Sequence, residues 1–466
     1  MTNIEKYDIA IIGSGSAGYV AAIRGADLGK KVLIIEKGEL GGTCLNRGCI
    51  PTKALLHSAE IYSHFNNSEE IGIKAENISY DLNVIQKRKN DIINKLVTGI
   101  DLLLKSRKIV LKKGCGKIVD EHTIEINHEG NIERINAENI IIATGSEPLM
   151  PPCFKFDGKN IITSKEALEV KEIPKDILII GSGAIGVEFA IFFSSFGAKV
   201  TLVEMMPQII PALRDKKMAK LIQRILNKKG IDVITGTKVE NIEIKEDGRV
   251  FSTLSNGKTI QNEKVLVSIG RKLNSEGIGL EDVGVKVENG RIIVNEEMRT
   301  NIPNIFAVGD VIGGLLLAHK AQREGIVVAE VISGLNTKMD YRVVPSAIFS
   351  SPEISAVGLT EEEAKEKGIE IITGEIPFAS NGKALTMNET EGLVKVVAKK
   401  DTKEIIGAQI VGPDASVLIA ELALSVEKNL TLMDVANTIH THPTLPEVIM
   451  EAAKAALGEA IHKAKR

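Results

Sequence analysis

The chain contains two copies of a glycine-rich segment at a spacing of 168 residues, and this duplication constrains its fold more than any other feature. The first copy, residues 7–36, reads YDIAIIGSGSAGYVAAIRGADLGKKVLIIE, and the second, residues 175–204, reads KDILIIGSGAIGVEFAIFFSSFGAKVTLVE. The identities at this spacing include the pairs Gly13 and Gly181, Gly15 and Gly183, Gly18 and Gly186, Gly29 and Gly197, Val32 and Val200, and Glu36 and Glu204. Such a repeat indicates two copies of one structural unit.

Each copy predicts a strand, a tight glycine turn, a helix and a second strand. The apolar runs before the turns, Ile9–Ile12 and Ile177–Ile180, are short enough to be buried parallel strands. In such a unit the first glycine makes the turn, the second lets the backbone approach a pyrophosphate, and the third lets helix and strand pack closely. Glu36 and Glu204 follow at the distance where an acid accepts hydrogen bonds from a ribose.

A single glycine motif would be weak, because many such motifs are only turns. Two copies, each with strand, helix and acid, predict that the protein binds two adenine dinucleotides. An acid at Glu204 repels a 2′-phosphate, which favours NAD over NADP at the second site.

Length and composition set the outer limits. A chain of 466 residues predicts about three domains, and 44% hydrophobic and 26% charged residues are typical of globular proteins. A net charge of −3 gives no sign of a nucleic-acid surface. No apolar run approaches the roughly 20 residues of a membrane helix, and Met1–Lys6 shows no signal core. We therefore expect a cytoplasmic protein.

Two of the four cysteines lie close together in the segment GGTCLNRGCIPTK, residues 41–53. In an ideal helix, residues five positions apart lie about 8–9 Å from each other, whereas a disulfide needs Cα atoms within about 7 Å. If Cys44 and Cys49 form a bond, the segment between them is not regular helix, and Gly48 can relax it. The alternatives are two buried cysteines beside a turn, or a zinc site, for which the other ligands are missing. Cys115 and Cys153 are interpreted as structural thiols.

The stretch GGTCLNRGCIPTKALL resembles the active-site segment of class I pyridine nucleotide–disulfide oxidoreductases, and the resemblance covers nearly the whole chain. It continues at Ala143–Gly145, at the second glycine motif, at Thr300–Asp310 and at His440–Glu447. It implies an α/β fold with two Rossmann-like domains, for FAD and NAD, and a C-terminal α+β dimerisation domain. The expected boundaries are 1–145 and 271–344 for the two parts of the FAD domain, 146–270 for the NAD domain and 345–466 for the interface domain.

The same resemblance implies the site residues. Cys44 and Cys49 would form the redox disulfide, Lys53 would lie beside the flavin, and Glu188 would meet both Lys53 and the nicotinamide. Asp310 would accept a hydrogen bond from the ribityl chain. The cofactor-binding positions expected in full are Gly13, Gly15, Ser16, Gly18, Glu36, Lys53, Gly145, Asp310 and Ala318 for FAD, and Gly181, Gly183, Gly186, Glu188, Glu204 and Gly270 around NAD. No metal is expected.

His442 and Glu447 form the second predicted constellation. A histidine titrating near pH ~6.5 can take a proton from a thiol, and a carboxylate on its other ring nitrogen fixes the tautomer. The prolines between them predict a turn that lets Glu447 fold back, and His440 is interpreted as structural. In members of the family this histidine reaches the disulfide of the partner subunit, which implies an obligate homodimer.

Leu317–Ala321 resembles the flavin-contacting helix of the dihydrolipoamide-oxidising members of the family. This resemblance implies oxidation of protein-bound dihydrolipoyl groups with reduction of NAD, and it implies partners among the lipoylated carrier domains of 2-oxoacid dehydrogenase, acetoin or glycine-cleavage complexes. Two alternatives stay open. One is another disulfide or metal-ion reductase of the family, and the other is a flavoprotein scaffold without turnover.

Overall fold

The computed structural model describes residues 5–464. Its strands, numbered in chain order, are β1 Lys6–Ile12, β2 Val32–Glu36, β3 Val110–Lys113, β4 Cys115–Ile118, β5 Thr123–His128, β6 Asn131–Ile142, β7 Ser146–Pro148, β8 Ile161–Ile162, β9 Asp176–Ile180, β10 Lys199–Val203, β11 Asp232–Ile234, β12 Val239–Ile244, β13 Val250–Leu254, β14 Thr259–Asn262, β15 Lys264–Val267, β16 Arg271–Leu273, β17 Val287–Glu288, β18 Arg291–Ile292, β19 Ile305–Ala307, β20 Ser346–Ile348, β21 Glu353–Gly358, β22 Ile371–Pro377, β23 Leu393–Lys399 and β24 Ile405–Gly412.

The α-helices lie between groups of these strands along the chain and after the last strand. In chain order they are α1 Ser16–Asp27, α2 Gly42–Arg47, α3 Cys49–Asn66, α4 Leu82–Ser106, α5 Ser164–Ala167, α6 Ala184–Ser195, α7 Lys216–Lys228, α8 Ala318–Ile332, α9 Glu361–Glu366, α10 Gly382–Met387, α11 Ala415–Glu427, α12 Leu432–Asn437 and α13 Glu447–Leu457.

The chain forms two compact units. The first comprises the residues up to Ala54 together with Asn83–Leu149 and Arg271–Asp340, and the second comprises Leu55–Leu82, Met150–Gly270 and Tyr341 onward. No helix among residues 5–464 is both long and apolar enough to cross a lipid bilayer.

The first unit is built on a seven-stranded sheet in the order β3-β2-β1-β6-β5-β4, with β19 added beside β6. The strands β3, β2, β1, β6 and β19 run in parallel, and Ile9 of β1 lies between Val32 of β2 and Asn139 of β6. The central strands are buried along most of their length because helices cover this part of the sheet. Helices α1 and α8 meet so closely that a Cβ on Gly325 would lie 2.5 Å from the carbonyl oxygen of Ala17.

The second unit contains a parallel sheet, β11-β10-β9-β15-β8, and an antiparallel one, β20-β21-β24-β23-β22. Helix α6 is apolar and mostly buried, as expected for a helix enclosed by its own unit. Helix α13 lies directly on β22, since a Cβ on Gly374 would lie 2.0 Å from the oxygen of Ala452. The three-stranded β12-β13-β14 sheet completes the unit.

The duplication predicted from the sequence is confirmed: β1-α1-β2 and β9-α6-β10 have the same strand, turn, helix and strand. Both glycine turns have a positive φ at the first glycine, +105° at Gly13 and +96° at Gly181. The sequence also predicts a helix at Ala415–Glu427 in the C-terminal domain, and α11 has these bounds. The first four residues of Met1–Lys6, where we expected no signal, lie outside the described residues, and the domain boundaries stay predictions.

Residues 109–142 contain short β-like runs separated by Asp, Asn and Gly, a pattern that predicts a small antiparallel insertion. The structure differs from this prediction. Only β4, β5 and the first half of β6 pair antiparallel, whereas β3 continues the parallel sheet beside β2. The second half of β6 runs in parallel between β1 and β19. One strand of 12 residues is long enough to serve both ladders, and its buried residues are Ile135, Ala137 and the apolar run Ile140–Ile142.

Candidate active site

Cys44 and Cys49 form a disulfide with a Cα–Cα distance of 4.7 Å. Helix α2 ends at Arg47 and helix α3 begins at Cys49, so the helical path is interrupted at Gly48, whose φ and ψ are −146° and −110°. This confirms the geometric expectation that a bond between these residues requires a break in the helix. Both cysteines are partly exposed.

The residues around the break hold the two sulfurs together. A Cβ on Gly48 would lie 3.0 Å from the carbonyl oxygen of Thr43 and 3.3 Å from the Cα of Cys44, so a side chain there would crowd the backbone beside Cys44. The Thr52 hydroxyl donates to the carbonyl of Gly48 at 2.6 Å. Cys49 lies at the N-terminus of an 18-residue helix, where the helix dipole favours negative charge on its sulfur after reduction.

The first glycine turn is closed by Glu36. One carboxylate oxygen accepts from the backbone N–H of Ser14 at 2.7 Å and from its hydroxyl at 2.6 Å, and the other accepts from the N–H of Gly38 at 2.7 Å. The acid therefore shapes the turn itself. A carboxylate has about four lone pairs, so it retains capacity for a ribose hydroxyl.

The second turn repeats these contacts at the same spacing. Glu204 accepts from the N–H and the hydroxyl of Ser182 at 2.9 and 2.8 Å, and from the N–H of Met206 at 2.8 Å. Each serine hydroxyl also accepts an N–H from the following loop, from Gly41 at 3.3 Å in the first copy and from Ile210 at 3.2 Å in the second. The duplication thus extends to individual hydrogen bonds, which the sequence pattern did not reveal.

The glycines of both turns fit a bound dinucleotide. A Cβ added to Gly13 would lie 2.3 Å from a backbone oxygen, and one added to Gly18 would lie 2.0 Å from one. In the second turn the corresponding distances are 2.6 Å for Gly181 and 1.9 Å for Gly186. Gly15 and Gly183 differ, because a Cβ there would meet nothing within 4 Å. The first and third glycines are therefore required by packing, while the second keeps the space beside the helix N-terminus clear for a pyrophosphate.

Asp310 follows β19 at the carboxyl end of the first parallel sheet, where ligands of such sheets bind. Its carboxylate accepts from the Ser146 hydroxyl at 2.5 Å, and Arg271 donates to that hydroxyl and to the Ser146 carbonyl, each at 2.6 Å. Burial lowers the pKa of Arg271, which the nearby Asp310 and Glu147 carboxylates partly counter. Sequence reasoning missed Ser146 and Arg271, although Arg271 directly follows the predicted residue Gly270.

His442 and Glu447 meet as the sequence predicted. Nδ1 of His442 lies 2.8 Å from a carboxylate oxygen of Glu447, whose other oxygen accepts from the N–H of Thr444 at 2.8 Å. Burial raises the pKa of the Glu447 carboxyl, but the hydrogen bonds from Thr444 and His442 outweigh it and hold that pKa below its usual range. The side chain of His442 is 78% exposed and that of Glu447 only 21%, so a fixed acid orients a ring that can reach a substrate.

The remaining predicted residues are placed as follows. His440 is engaged at both ring nitrogens, by Glu421 at 3.0 Å and the carbonyl of Thr438 at 2.9 Å, which agrees with a structural role. Glu188 is buried in α6 and accepts from the N–H of Phe349 at 3.0 Å. Ser16 is the first residue of α1, Ala318 is the first residue of α8, and Lys53 lies in the first turns of α3. Gly145 and Gly270 have positive φ, +70° and +137°, and a Cβ added to either would meet nothing within 4 Å.

Two family models match the chain in sequence. The model for the pyridine nucleotide-disulphide oxidoreductase domain covers residues 7–325, and that for the dimerisation domain of the same enzymes covers residues 344–453. The chain belongs to the pyridine nucleotide-disulphide oxidoreductase family. Membership confirms the predicted fold class and establishes an FAD- and NAD-dependent oxidoreductase.

Similar proteins within this family match over almost their full length. A dihydrolipoyl dehydrogenase of Geobacillus stearothermophilus is 46% identical over 455 residues, which is 97% of this chain and 96% of the relative. One of Thermus scotoductus is 45% identical, with 98% and 99% covered. Among solved structures, LpdA of Mycobacterium tuberculosis matches with a TM-score of 0.90, 26% identity and coverage of 97% and 99%. The HOCl-induced flavoprotein disulfide reductase RclA of Escherichia coli matches with a TM-score of 0.86 and 30% identity, and the match covers 96% of this chain and 99% of RclA.

Proposed function

We propose that this member of the family is a dihydrolipoyl dehydrogenase, which oxidises dihydrolipoyl groups to lipoyl groups and reduces NAD to NADH. The observation that carries the proposal is the accessible Cys44–Cys49 disulfide at the start of α3. The oriented His442–Glu447 pair and the identities of 42–46% to dihydrolipoyl dehydrogenases of several bacteria support it.

The reaction begins with proton transfer. Thiol–disulfide exchange needs a thiolate, and most of a free thiol is protonated near neutral pH. Glu447 binds Nδ1 of His442, so Nε2 is the nitrogen that exchanges a proton with the substrate. The ionised Glu447 stabilises the imidazolium that results.

The thiolate then attacks Sγ of Cys44, and the Cys44–Cys49 bond breaks as a mixed disulfide forms. The second substrate thiol attacks the same substrate sulfur and releases Cys44, so two substrate thiols become one disulfide and the enzyme disulfide becomes a dithiol. Bound FAD would accept this electron pair and pass a hydride to bound NAD. Cys49 holds the sulfur that faces the cofactor in this assignment, and the helix dipole stabilises its thiolate.

The individual cofactor contacts belong to the proposal. The turns at Gly13–Gly18 and Gly181–Gly186 would hold the pyrophosphates of FAD and NAD, with Glu36 and Glu204 at the riboses. Lys53, Glu188, Asp310 and Ala318 would lie around the flavin and nicotinamide. The open space beside Gly15 and Gly183 supports the pyrophosphate positions.

We extend the proposal to the assembly. The dimerisation domain of the family supports a homodimer, in which the partner subunit's His442 serves Cys44 of this chain. The substrates would be lipoylated carrier domains of 2-oxoacid dehydrogenase, acetoin or glycine-cleavage complexes, and the location would be the cytoplasm.

The decisive experiment replaces the sulfur that faces the cofactor. Cys49→Ser should abolish NADH formation from dihydrolipoamide and NAD, because the electron path through the disulfide is lost. Cys115→Ser is the control, since Cys115 is an exposed free cysteine outside this site, and it should keep full activity. The wild type is assayed in parallel with glutathione disulfide and Hg(II). Full activity of Cys49→Ser, or a wild-type preference for either other substrate, contradicts the proposal.

A further inference from the structure

Helix α8 contains an ion pair that is withdrawn from solvent. Nζ of Lys320 lies 3.1 Å from Oε1 of Glu324, one helical turn away, and the side chains are 1% and 0% exposed. Charged groups are almost never buried this completely unless their hydrogen-bonding capacity is used, because desolvation is costly. The remaining hydrogen bonds of Lys320 and Glu324 therefore indicate which part of the backbone the pair stabilises.

Those contacts lie at the two ends of one short turn. The other carboxylate oxygen of Glu324 accepts from the N–H of Gly309 at 2.8 Å, and Lys320 donates to the carbonyl of Gly313 at 3.3 Å. Gly309 and Gly313 both have positive φ, +79° and +72°. Glycine leaves such a conformation easily, so contacts from neighbouring groups help to hold it. The pair thus fixes both ends of the 309–313 turn.

Asp310 is the second residue of that turn. Its side chain is oriented separately, by the hydroxyl of Ser146, which Arg271 holds in place. The backbone and the carboxylate of Asp310 are therefore fixed by two different sets of contacts. Of these residues, only Asp310 is assigned to the cofactor.

We propose that Lys320 and Glu324 are positioning residues, a buried pair that sets the 309–313 turn for FAD before FAD binds. The inference rests on the proposed contact between Asp310 and the flavin. The pair does not touch the reacting atoms, so its loss should weaken flavin binding while leaving the chemistry of a fully loaded enzyme intact. A turn that is already ordered loses less conformational entropy on binding FAD than a mobile turn would.

The test uses the double variant Lys320→Met/Glu324→Gln, which removes both charges together and leaves no unpaired buried charge. Apoprotein is titrated with FAD, and binding is followed by the quenching of flavin fluorescence. We expect the FAD dissociation constant to rise by about tenfold or more, as for loss of a hydrogen bond to a charged group. With saturating FAD, kcat for dihydrolipoamide should stay within about twofold of the wild type.

The matched control is Lys87→Met/Asp91→Asn. This pair has the same spacing on α4, with 2.6 Å between its atoms, but its side chains are 76% and 60% exposed. It should leave FAD affinity unchanged. An equal loss of FAD affinity in the control would overturn the inference, because removing any ion pair would then weaken FAD binding.

Two further measurements separate the inference from its basis. Asp310→Asn alone should also raise the FAD dissociation constant; if it does not, the proposed flavin contact of Asp310 is wrong. If Asp310→Asn weakens FAD binding while the double variant binds as tightly as the wild type, the positioning role is wrong. Hydrogen exchange of residues 305–317 in the apoprotein should be faster in the double variant; unchanged exchange overturns the proposal even if the variant is less stable.

Discussion

At the scale of single residues, the pairing of an exposed ring with a sheltered acid supports the proposed role of His442 as a general base. Glu447 is held at one oxygen by the N–H of Thr444 and binds the ring with the other, so its orientation does not depend on a substrate. The histidine keeps its tautomer while its other nitrogen stays accessible.

Replacing His442 tests this directly. His442→Gln should lower kcat for dihydrolipoamide by about 10²–10⁴-fold, the usual contribution of a general base. Stopped-flow measurement of the dithiol half-reaction at pH 7 gives the rate. An unchanged rate would remove the proposed role, and His64→Gln, an exposed histidine at the end of α3, serves as the control.

The lowered pKa of Glu447 predicts a pH dependence of stability. A carboxyl whose folded pKa is depressed contributes stability that is present above its usual value of 4.5 and lost as the pH falls through the folded value. The free energy of unfolding of the wild type should therefore exceed that of Glu447→Gln near neutral pH, and the difference should shrink as the pH falls below about 4.5. Urea denaturation across this range measures it. A difference that does not change with pH would show that Glu447 acts through packing alone.

At the scale of elements, the break between α2 and α3 is the feature on which the redox pair depends. The sequence could predict that a bond between Cys44 and Cys49 excludes regular helix, because the rise per residue is known. Pro51 also predicts a helix that resumes after the pair, and α3 contains Pro51 in its first turn. The sequence could not predict that Cys49 is the first residue of this helix, since that depends on the backbone angles of Gly48 and on the contacts of Thr52 and Asn46.

A methyl group at the break should be costly. Gly48→Ala places a Cβ 3.0 Å from the oxygen of Thr43, and we expect it to lower the free energy of unfolding by about 1–3 kcal/mol. Gly99→Ala is the matched control, because Gly99 lies inside α4 with nothing within 4 Å of the added atom, and it should raise stability by about 0.5–1 kcal/mol. Denaturant unfolding of the apoproteins compares them. Equal effects would contradict the assigned importance of Gly48.

At the scale of the whole molecule, the proposed homodimer makes each site depend on two chains. If the partner subunit's His442 serves Cys44, two inactive variants should complement each other when they share one dimer. A dimer of Cys44→Ser and His442→Gln chains contains one site with both residues intact.

Coexpression with two different tags isolates the mixed dimer. The Cys44→Ser and His442→Gln homodimers should be inactive or slowed as above, whereas the purified mixed dimer should show about half of the wild-type activity, from its one intact site. Activity no higher than the mean of the two parents would contradict a shared site. A Cys44→Ser/His442→Gln double variant paired with the wild type is the control, because neither of its sites keeps both residues.

The sequence by itself determined the two dinucleotide units, since a glycine turn, an amphipathic or buried helix and an acid are local consequences of residue type and spacing. It also determined the proximity of Cys44 to Cys49 and of His442 to Glu447, because each pair lies within five residues. Tertiary structure alone decided the contacts of Arg271 with Ser146, and of Lys320 and Glu324 with the 309–313 turn. The contact between Arg271 and Ser146 joins residues far apart in the sequence. The contacts of Lys320 and Glu324 depend on how α8 packs within the first unit. Burial makes these contacts necessary, and burial is a property of the assembled fold.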